Sequence, residues 1–149
     1  MVEAGIAYSF VQDNHSRSEA KGVLRGLHFQ REPAAQAKLI RVVRGSIFDV
    51  AVDIRRGSPD YGKWIGLVLS AQSWNQMLVP DGFAHGYLTL EADTEVLYKP
   101  SAPYRPDLAG VIRFDDPDLA IDWPCTGSAP SLSDADRAAP YLAALDQGC

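Results

Sequence analysis

The sequence is poor in cysteine. Among its 149 residues only Cys125 and Cys149 are cysteines, and Cys149 is the last residue. No Cys-x-x-Cys pair is present, and a structural disulfide that ends on a chain terminus would be unusual. The composition therefore argues against a disulfide-stabilised secreted domain and against a cysteine-based zinc site, and it fits a reducing, cytoplasmic location.

Long apolar runs and long basic runs are also missing. No stretch approaches the about 20 apolar residues that span a bilayer, and the first residues lack the charged and apolar regions of a secretion signal. The net charge is −5 and no extended basic patch occurs, so we expect neither membrane nor nucleic acid as a partner.

What the sequence does have is the composition of an ordinary globular domain. Hydrophobic residues make up 46% and charged residues 22% of the chain, and the length allows one sizeable core. No linker, internal repeat or low-complexity segment interrupts it. We therefore predict a single domain over residues 1–149, with a core over about 10–125.

Short alternating segments between turn signals predict an all-β fold. In the segment 46–54 (SIFDVAVDI), Phe48, Val50 and Val52 fall on one face and the intervening residues on the other. No amphipathic helix lies among these segments, and such spacing is typical of sandwiches and barrels, including jelly rolls and cupins. The predicted strands are Val23–Gln30, Ala37–Val43, Ser46–Ile54, Lys63–Ser70, Gln76–Val79, Phe83–Leu90, Glu95–Lys99 and Val111–Phe114.

Only the tail, about 131–147, has a helical pattern. Ser133 is the expected N-cap because its hydroxyl can accept a hydrogen bond from a free backbone amide of the first turn. Pro140 interrupts the segment, so we expect one or two short helical turns rather than a long helix.

The chain contains three histidines, and their surroundings differ. His15 lies in a polar stretch and is expected on the surface or in a loop. His28 and His85 lie in β-like segments, where a lone histidine is more often a hydrogen-bonded structural residue than a base. The His-x-His pair of metal-binding cupins is missing, and the residue two positions after His28 is Gln30, so we expect no bound metal.

Proton transfer is the chemistry that remains without a metal. In the partly dry interior of a barrel, a histidine or tyrosine can act near neutral pH. In strict alternation Arg25 and His28 would face opposite sides of their strand, and a bulge at Gly26 would correct this. The groups that would converge on one cavity are His28, Lys38, His85, Tyr98 and an acidic residue.

Several motifs in a fixed order resemble the dTDP-4-dehydrorhamnose 3,5-epimerase family. The resemblance covers roughly residues 10–140 and is more specific than any single short pattern. The motifs are Asp13–Ser18, Gly22–Gln30, Gln36–Leu39, Val42–Gly45, Phe48–Asp53, Pro80–Gly86, Leu97–Lys99, Asp115–Pro117, Ile121–Pro124 and Leu132–Asp134.

This resemblance implies a cupin-like jelly-roll β-barrel and an isomerase that needs no cofactor. The family's substrate is a 4-keto-6-deoxy-hexose linked to dTDP, whose C4 ketone acidifies the protons on C3 and C5. Removal of such a proton gives an enolate. The implied reaction inverts C3 and C5 of dTDP-4-dehydro-6-deoxy-glucose for the synthesis of L-rhamnose or a related deoxysugar.

The resemblance also assigns the catalytic residues. His28 matches the general base, and Asp136 matches the carboxylate that orients its imidazole, although Asp134 lies close enough to take that role. Lys38 matches the cation that stabilises negative charge on the ketone oxygen. Tyr98 matches the acid that returns a proton from the opposite face, which inversion requires.

Five further residues match substrate contacts in the family. Arg25 matches a contact to the diphosphate, because a guanidinium can bind two phosphate oxygens at once. The remaining matches are Gln12 and Asn14 near the nucleotide, His85 near the sugar and Tyr104 in the pocket. Relatives usually carry a further N-terminal segment that holds the nucleotide across a homodimer, and because this sequence has no equivalent we expect fewer nucleotide contacts.

Three alternatives stay open at this point. A relative that epimerises only one carbon would share the same catalytic residues. A sugar-nucleotide-binding cupin without catalytic activity would keep the pocket but lack turnover. A metal-dependent cupin oxygenase would need the metal ligands that the sequence lacks.

Overall fold

The structure is a computed structural model that describes residues 8–147, so that Cys149 lies outside the described residues. The strands are β1 Asn14–Ser18, β2 Leu24–Gln30, β3 Lys38–Arg44, β4 Ser46–Asp53, β5 Trp64–Ser70, β6 Gln76–Val79, β7 Phe83–Thr89, β8 Thr94–Pro100 and β9 Ala109–Val111. Two short helices, α1 Asp134–Arg137 and α2 Leu142–Gln147, follow. Neither helix is long and apolar enough to cross a membrane.

The strands form two antiparallel sheets. One has four strands in the order β1-β8-β3-β6, and the other has five in the order β5-β4-β7-β2-β9. A buried cluster draws side chains from both sheets, among them Ile40, Val96 and Val79 from the first and Ile47 and Leu69 from the second. The all-β class is therefore confirmed, and the two sheets do not join into a closed barrel over residues 8–147.

A second buried cluster lies on the opposite face of the five-stranded sheet. Val50 and Val52 alternate with the residues of β4 that face the first cluster, and they pack with Ile112, Leu119 and Leu142. Burial of this apolar surface holds the C-terminal tail against the sheet. The tail is thereby fixed near β2, although the two segments are far apart in sequence.

Most strand predictions are confirmed, one strand begins earlier than predicted, and one strand was not predicted. The last predicted strand, 111–114, is observed as β9 at Ala109–Val111. Residues 14–18, for which no strand was predicted, form β1, which pairs with β8 at the edge of the four-stranded sheet and leaves His15 exposed, as expected. Its sequence is fully polar because an edge strand can expose one face, and His15 uses that face to contact Glu95 at 3.0 Å. The two short helical turns and the Ser133 cap are confirmed.

A bulge at Gly26, which the sequence left open, is present in β2. Arg25 pairs with Tyr87, but His28 pairs with His85, so β2 carries one extra residue between these pairs. Gly26 has φ = 117°, and a Cβ there would lie 2.7 Å from the carbonyl oxygen of His85. Both the backbone conformation and the space require glycine. The extra residue brings Arg25 and His28 to the same cavity.

Replacing Gly26 should therefore destabilise the protein far more than replacing an unhindered glycine. We expect Gly26→Ala to lower the free energy of unfolding by about 3 kcal/mol, because left-handed strain and a backbone clash add together. Gly57→Ala is the control, since Gly57 has φ = 82° but open space around it, and it should lose about 1 kcal/mol. Urea denaturation measures both, and equal losses would contradict the close packing at Gly26.

Candidate active site

A cavity of ≈ 570 Å³ is bounded by residues from both sheets and from the start of α1. This volume lies in the range typical of small-molecule sites. Seven of the nine predicted site residues line it: Gln12, Asn14, His28, Lys38, Tyr98, Tyr104 and Asp136. The other two, Arg25 and His85, line a recess of ≈ 150 Å³ that shares His28, Lys38 and Tyr98 with the main cavity.

His28 and Asp136 form a hydrogen-bonded pair at the wall of the cavity. Nε2 of His28 lies 2.7 Å from Oδ1 of Asp136. The carboxylate is buried, whereas the His28 side chain is 45% exposed toward the cavity. Backbone hydrogen bonds from the Leu24 amide to Ser131 and from the Ser131 amide to Gly22 fix the tail beside β2. This explains how residues more than a hundred positions apart meet.

The environment of Asp136 keeps its carboxylate charged. Burial raises the pKa of this group, but the hydrogen bond from His28 and a second one from the Gly26 amide at 3.0 Å outweigh it. The net effect is a pKa below the ordinary value. A charged carboxylate fixes the tautomer of His28 and favours a proton on Nε2, which leaves Nδ1 free to accept a proton.

The structure separates Asp136 from the alternative, Asp134. The Asp134 side chain is exposed and lies 3.5 Å from the guanidinium of Arg137. Asp136 also donates its backbone amide to the Ser133 hydroxyl at 3.1 Å, which is the N-cap contact of α1. The cap orients the first helical turn so that Asp136, and not Asp134, faces His28.

Lys38 and Tyr98 approach the same cavity from the four-stranded sheet. Nζ of Lys38 lies 5.9 Å from the centre of the Tyr98 ring. Burial lowers the pKa of Lys38 to about 8, although the charge of Asp49 partly opposes this shift. The ammonium form therefore predominates at neutral pH but is readily deprotonated, as suits a cation in a poorly hydrated site.

His85 has a buried carboxylate partner that sequence reasoning missed. Its Nε2 lies 2.5 Å from Oδ1 of Asp49, and Asp49 is completely buried. The other oxygen, Oδ2, has no hydrogen-bond partner among the described residues. The signal was available, because Asp49 falls on the face of β4 opposite Phe48 and Val50, where an acidic residue in an apolar strand is unexpected.

The predicted nucleotide and diphosphate contacts, and the predicted pocket residue Tyr104, occupy less constrained positions. Arg25 donates from Nη2 to the Ser18 hydroxyl at 3.3 Å and is otherwise exposed at the recess. Gln12 donates to Asn14 at 2.9 Å. Tyr104 is 66% exposed at the cavity edge. These groups remain accessible to a ligand, in contrast to the buried Asp136 and Asp49.

No group of three or more histidine, cysteine, aspartate or glutamate side chains within residues 8–147 has the geometry to hold a metal ion. What the site brings together instead is a carboxylate-bound imidazole on one sheet and an ammonium and a phenol on the other. Such a set can remove a proton, stabilise an oxyanion and supply a proton from another direction.

Comparison with known proteins identifies the family. Residues 1–144 match the family described as dTDP-4-dehydrorhamnose 3,5-epimerase. The enzyme of that name from Salmonella typhimurium is 51% identical over 138 residues, which cover 93% of this chain and 74% of the relative. This chain is thus similar to a curated enzyme over most of both lengths.

Solved structures agree. A dTDP-6-deoxy-D-glucose-3,5-epimerase from Legionella pneumophila, in complex with dTDP-4-keto-L-rhamnose, has a TM-score of 0.92 and 48% identity, covering 99% of this chain and 77% of that one. A 3'-monoepimerase from Streptomyces bikiniensis, in complex with dTDP-quinovose, has a TM-score of 0.90 and 34% identity, covering 98% and 74%. The chain belongs to the dTDP-4-dehydrorhamnose 3,5-epimerase family.

Proposed function

We propose that this protein is an isomerase that inverts C3 and C5 of dTDP-4-dehydro-6-deoxy-glucose through enolate intermediates. The observation that carries the proposal is the pair formed by His28 and Asp136 on a cavity that Tyr98 lines from the opposite sheet. Family membership and the pocket chemistry point to the same reaction.

His28 is the base in this proposal. Because Nε2 is hydrogen-bonded to Asp136, Nδ1 is the nitrogen that takes the proton from C3 or C5. The carboxylate stabilises the imidazolium that results, and the hydrogen bond from the Gly26 amide holds the carboxylate in place. General-base catalysis of this kind contributes about 10²–10⁴-fold.

Lys38 stabilises the enolate. Removal of a proton next to the C4 ketone moves negative charge to the C4 oxygen, and an ammonium in a poorly hydrated site interacts with that charge more strongly than it would in water. The nearby charge of Asp49 helps Lys38 to stay protonated despite its burial.

Tyr98 completes the inversion. A base that returned its own proton to the same face would regenerate the starting centre, so a second donor is needed on the other face of the ring. Tyr98 belongs to the four-stranded sheet and His28 to the five-stranded sheet. After each inversion the phenolate regains a proton and the imidazolium loses one through solvent.

Deuterium incorporation tests this function directly. In D₂O the wild-type protein should label both C3 and C5 of dTDP-4-dehydro-6-deoxy-glucose, as followed by proton NMR. His28→Asn should abolish labelling at both carbons, because the same base serves both. If folded wild-type protein exchanged the proton at neither carbon, the proposed function would be refuted.

The same experiment separates the alternatives. Labelling of one carbon would show a single-carbon epimerase, an alternative favoured by the structural similarity to the 3'-monoepimerase from Streptomyces bikiniensis. Thermal stabilisation by dTDP-sugar without any exchange would show a binding protein. A metal-dependent oxygenase would require stoichiometric metal in the purified protein, which elemental analysis detects.

The role of Asp136 has a matched control in the chain. We expect Asp136→Asn to lower kcat at least about a hundredfold, because a neutral amide neither stabilises the imidazolium nor selects the tautomer. Asp134→Asn should retain activity within about twofold, since that side chain is exposed and interacts with Arg137 only on the surface. Steady-state kinetics measures both, and comparable losses would contradict the assignment.

The pH profile tests Lys38. Because its pKa is lowered to about 8, the ammonium is present below that pH and is lost as the pH rises through it. kcat/KM should therefore fall above about pH 8, by up to tenfold per pH unit. Lys38→Arg keeps its charge and should shift the decline to higher pH, whatever its absolute rate. An unchanged alkaline limb in this variant would assign the titration to another group.

We also propose a cytoplasmic homodimer. Exposed apolar side chains on the edge strand β5, Ile65, Leu67 and Val68, support a contact between copies. The free, exposed thiol of Cys125 supports a reducing compartment.

A further inference from the structure

Two hydroxyl groups in the recess have no part in the proposed mechanism. The recess of ≈ 150 Å³ is lined by Ser16 and Tyr87 in addition to the residues already described. The phenol oxygen of Tyr87 lies 2.8 Å from the Ser16 hydroxyl, and either atom can be the donor. Tyr87 is 5% exposed, so its polar end is directed into a site rather than into bulk water.

This hydroxyl pair joins the two sheets beside Arg25 and His85, the predicted contacts to the diphosphate and to the sugar. Ser16 belongs to β1 in one sheet, and Tyr87 belongs to β7 in the other. Along β1, Ser18 accepts the hydrogen bond from Arg25, and Arg25 lies directly opposite Tyr87 in the register of β2 and β7. The polar strand β1 therefore supplies a hydroxyl to each of these two pocket residues.

The pair retains unused hydrogen-bonding capacity. Burial raises the pKa of the Tyr87 phenol, although the Ser16 hydrogen bond and the charge of Arg25 act against this, so the phenol stays protonated at neutral pH. The bond between the two hydroxyls uses only one of their two O–H groups. One hydrogen and several lone pairs remain available to a ligand.

We propose that the Ser16–Tyr87 hydroxyl pair binds a ring hydroxyl of the hexose and thereby fixes the orientation of the sugar over His28. The proposal rests on the proposed function for the identity of the site. A dTDP-linked hexose presents hydroxyls that can both donate and accept, and a two-hydroxyl partner can match either arrangement. A rigid contact of this kind determines which ring carbons come within reach of the base.

The competing hypothesis is a structural bond between the sheets. In that case loss of the phenol oxygen would lower stability without affecting the sugar specifically. The two hypotheses differ in whether the loss of binding free energy depends on the hexose. A comparison of the affinities for dTDP-glucose and for dTDP measures this.

The experiment measures by calorimetry the affinities of wild-type protein and of the Tyr87→Phe variant for these two ligands. We expect the variant to bind dTDP-glucose about five- to tenfold more weakly, the loss of one hydrogen bond, and to bind dTDP with unchanged affinity. Ser16→Ala should weaken the binding of dTDP-glucose less than Tyr87→Phe does, because the phenol oxygen remains. Tyr141→Phe, on the surface near Arg113, is the control and should change neither affinity.

A second measurement uses the reaction itself. Tyr87→Phe should change the ratio of deuterium incorporation at C3 and C5 by at least about twofold, since a less restrained ring presents the two carbons differently to His28. Unchanged relative affinity together with an unchanged C3-to-C5 ratio would overturn the inference, even if the melting temperature falls. Absence of exchange in the wild-type protein would instead refute the proposed function, and the binding comparison would still decide the inference.

Discussion

The hydrogen bond between His28 and Asp136 is the contact on which the rest of the site depends. It depends on the bulge in β2, because the extra residue sets the face on which His28 lies and places the Gly26 amide against Asp136. It also requires the C-terminal tail, which the Ser131 backbone and the apolar contacts of Leu142 hold beside β2. The backbone amide of Gly26 links the bulge to the tail, because it lies in the bulge and donates to Asp136.

Burial has opposite consequences for the charged groups around the cavity. It would neutralise Asp136 and Lys38 if either stood alone, because a poorly hydrated interior disfavours charge. Asp136 is kept ionised by donors aimed at both of its oxygens, whereas the charge of Asp49 offsets the burial of Lys38 only in part, and the pKa of Lys38 falls to about 8. The result is one strongly anchored carboxylate and one ammonium that titrates close to neutrality.

Local sequence patterns were sufficient for the strands with an apolar face, such as β4. For the bulge they gave only a possibility, because Gly26 permits a break in the alternation of β2 but the sequence does not show whether Arg25 and His28 share a cavity. They were insufficient for β1. Its residues Asn14–Ser18 are all polar, and only pairing with β8 makes them a strand. The position of Asp49 in an apolar strand was visible in the sequence, but its pairing with His85 was not, because His85 lies on another strand and the contact depends on sheet register.

Several short polar side chains support residues that line the cavity and its recess, and of these supports only the Ser133 cap was predicted from the sequence. Asp49 holds His85, Ser133 orients the turn that carries Asp136, and Ser16 and Ser18 contact Tyr87 and Arg25. Each support is a short polar side chain whose function is set by its neighbour rather than by its own motif. The polar edge strand β1 is therefore constrained by its contacts with pocket residues, although nothing in its hydropathy distinguishes it from a loop.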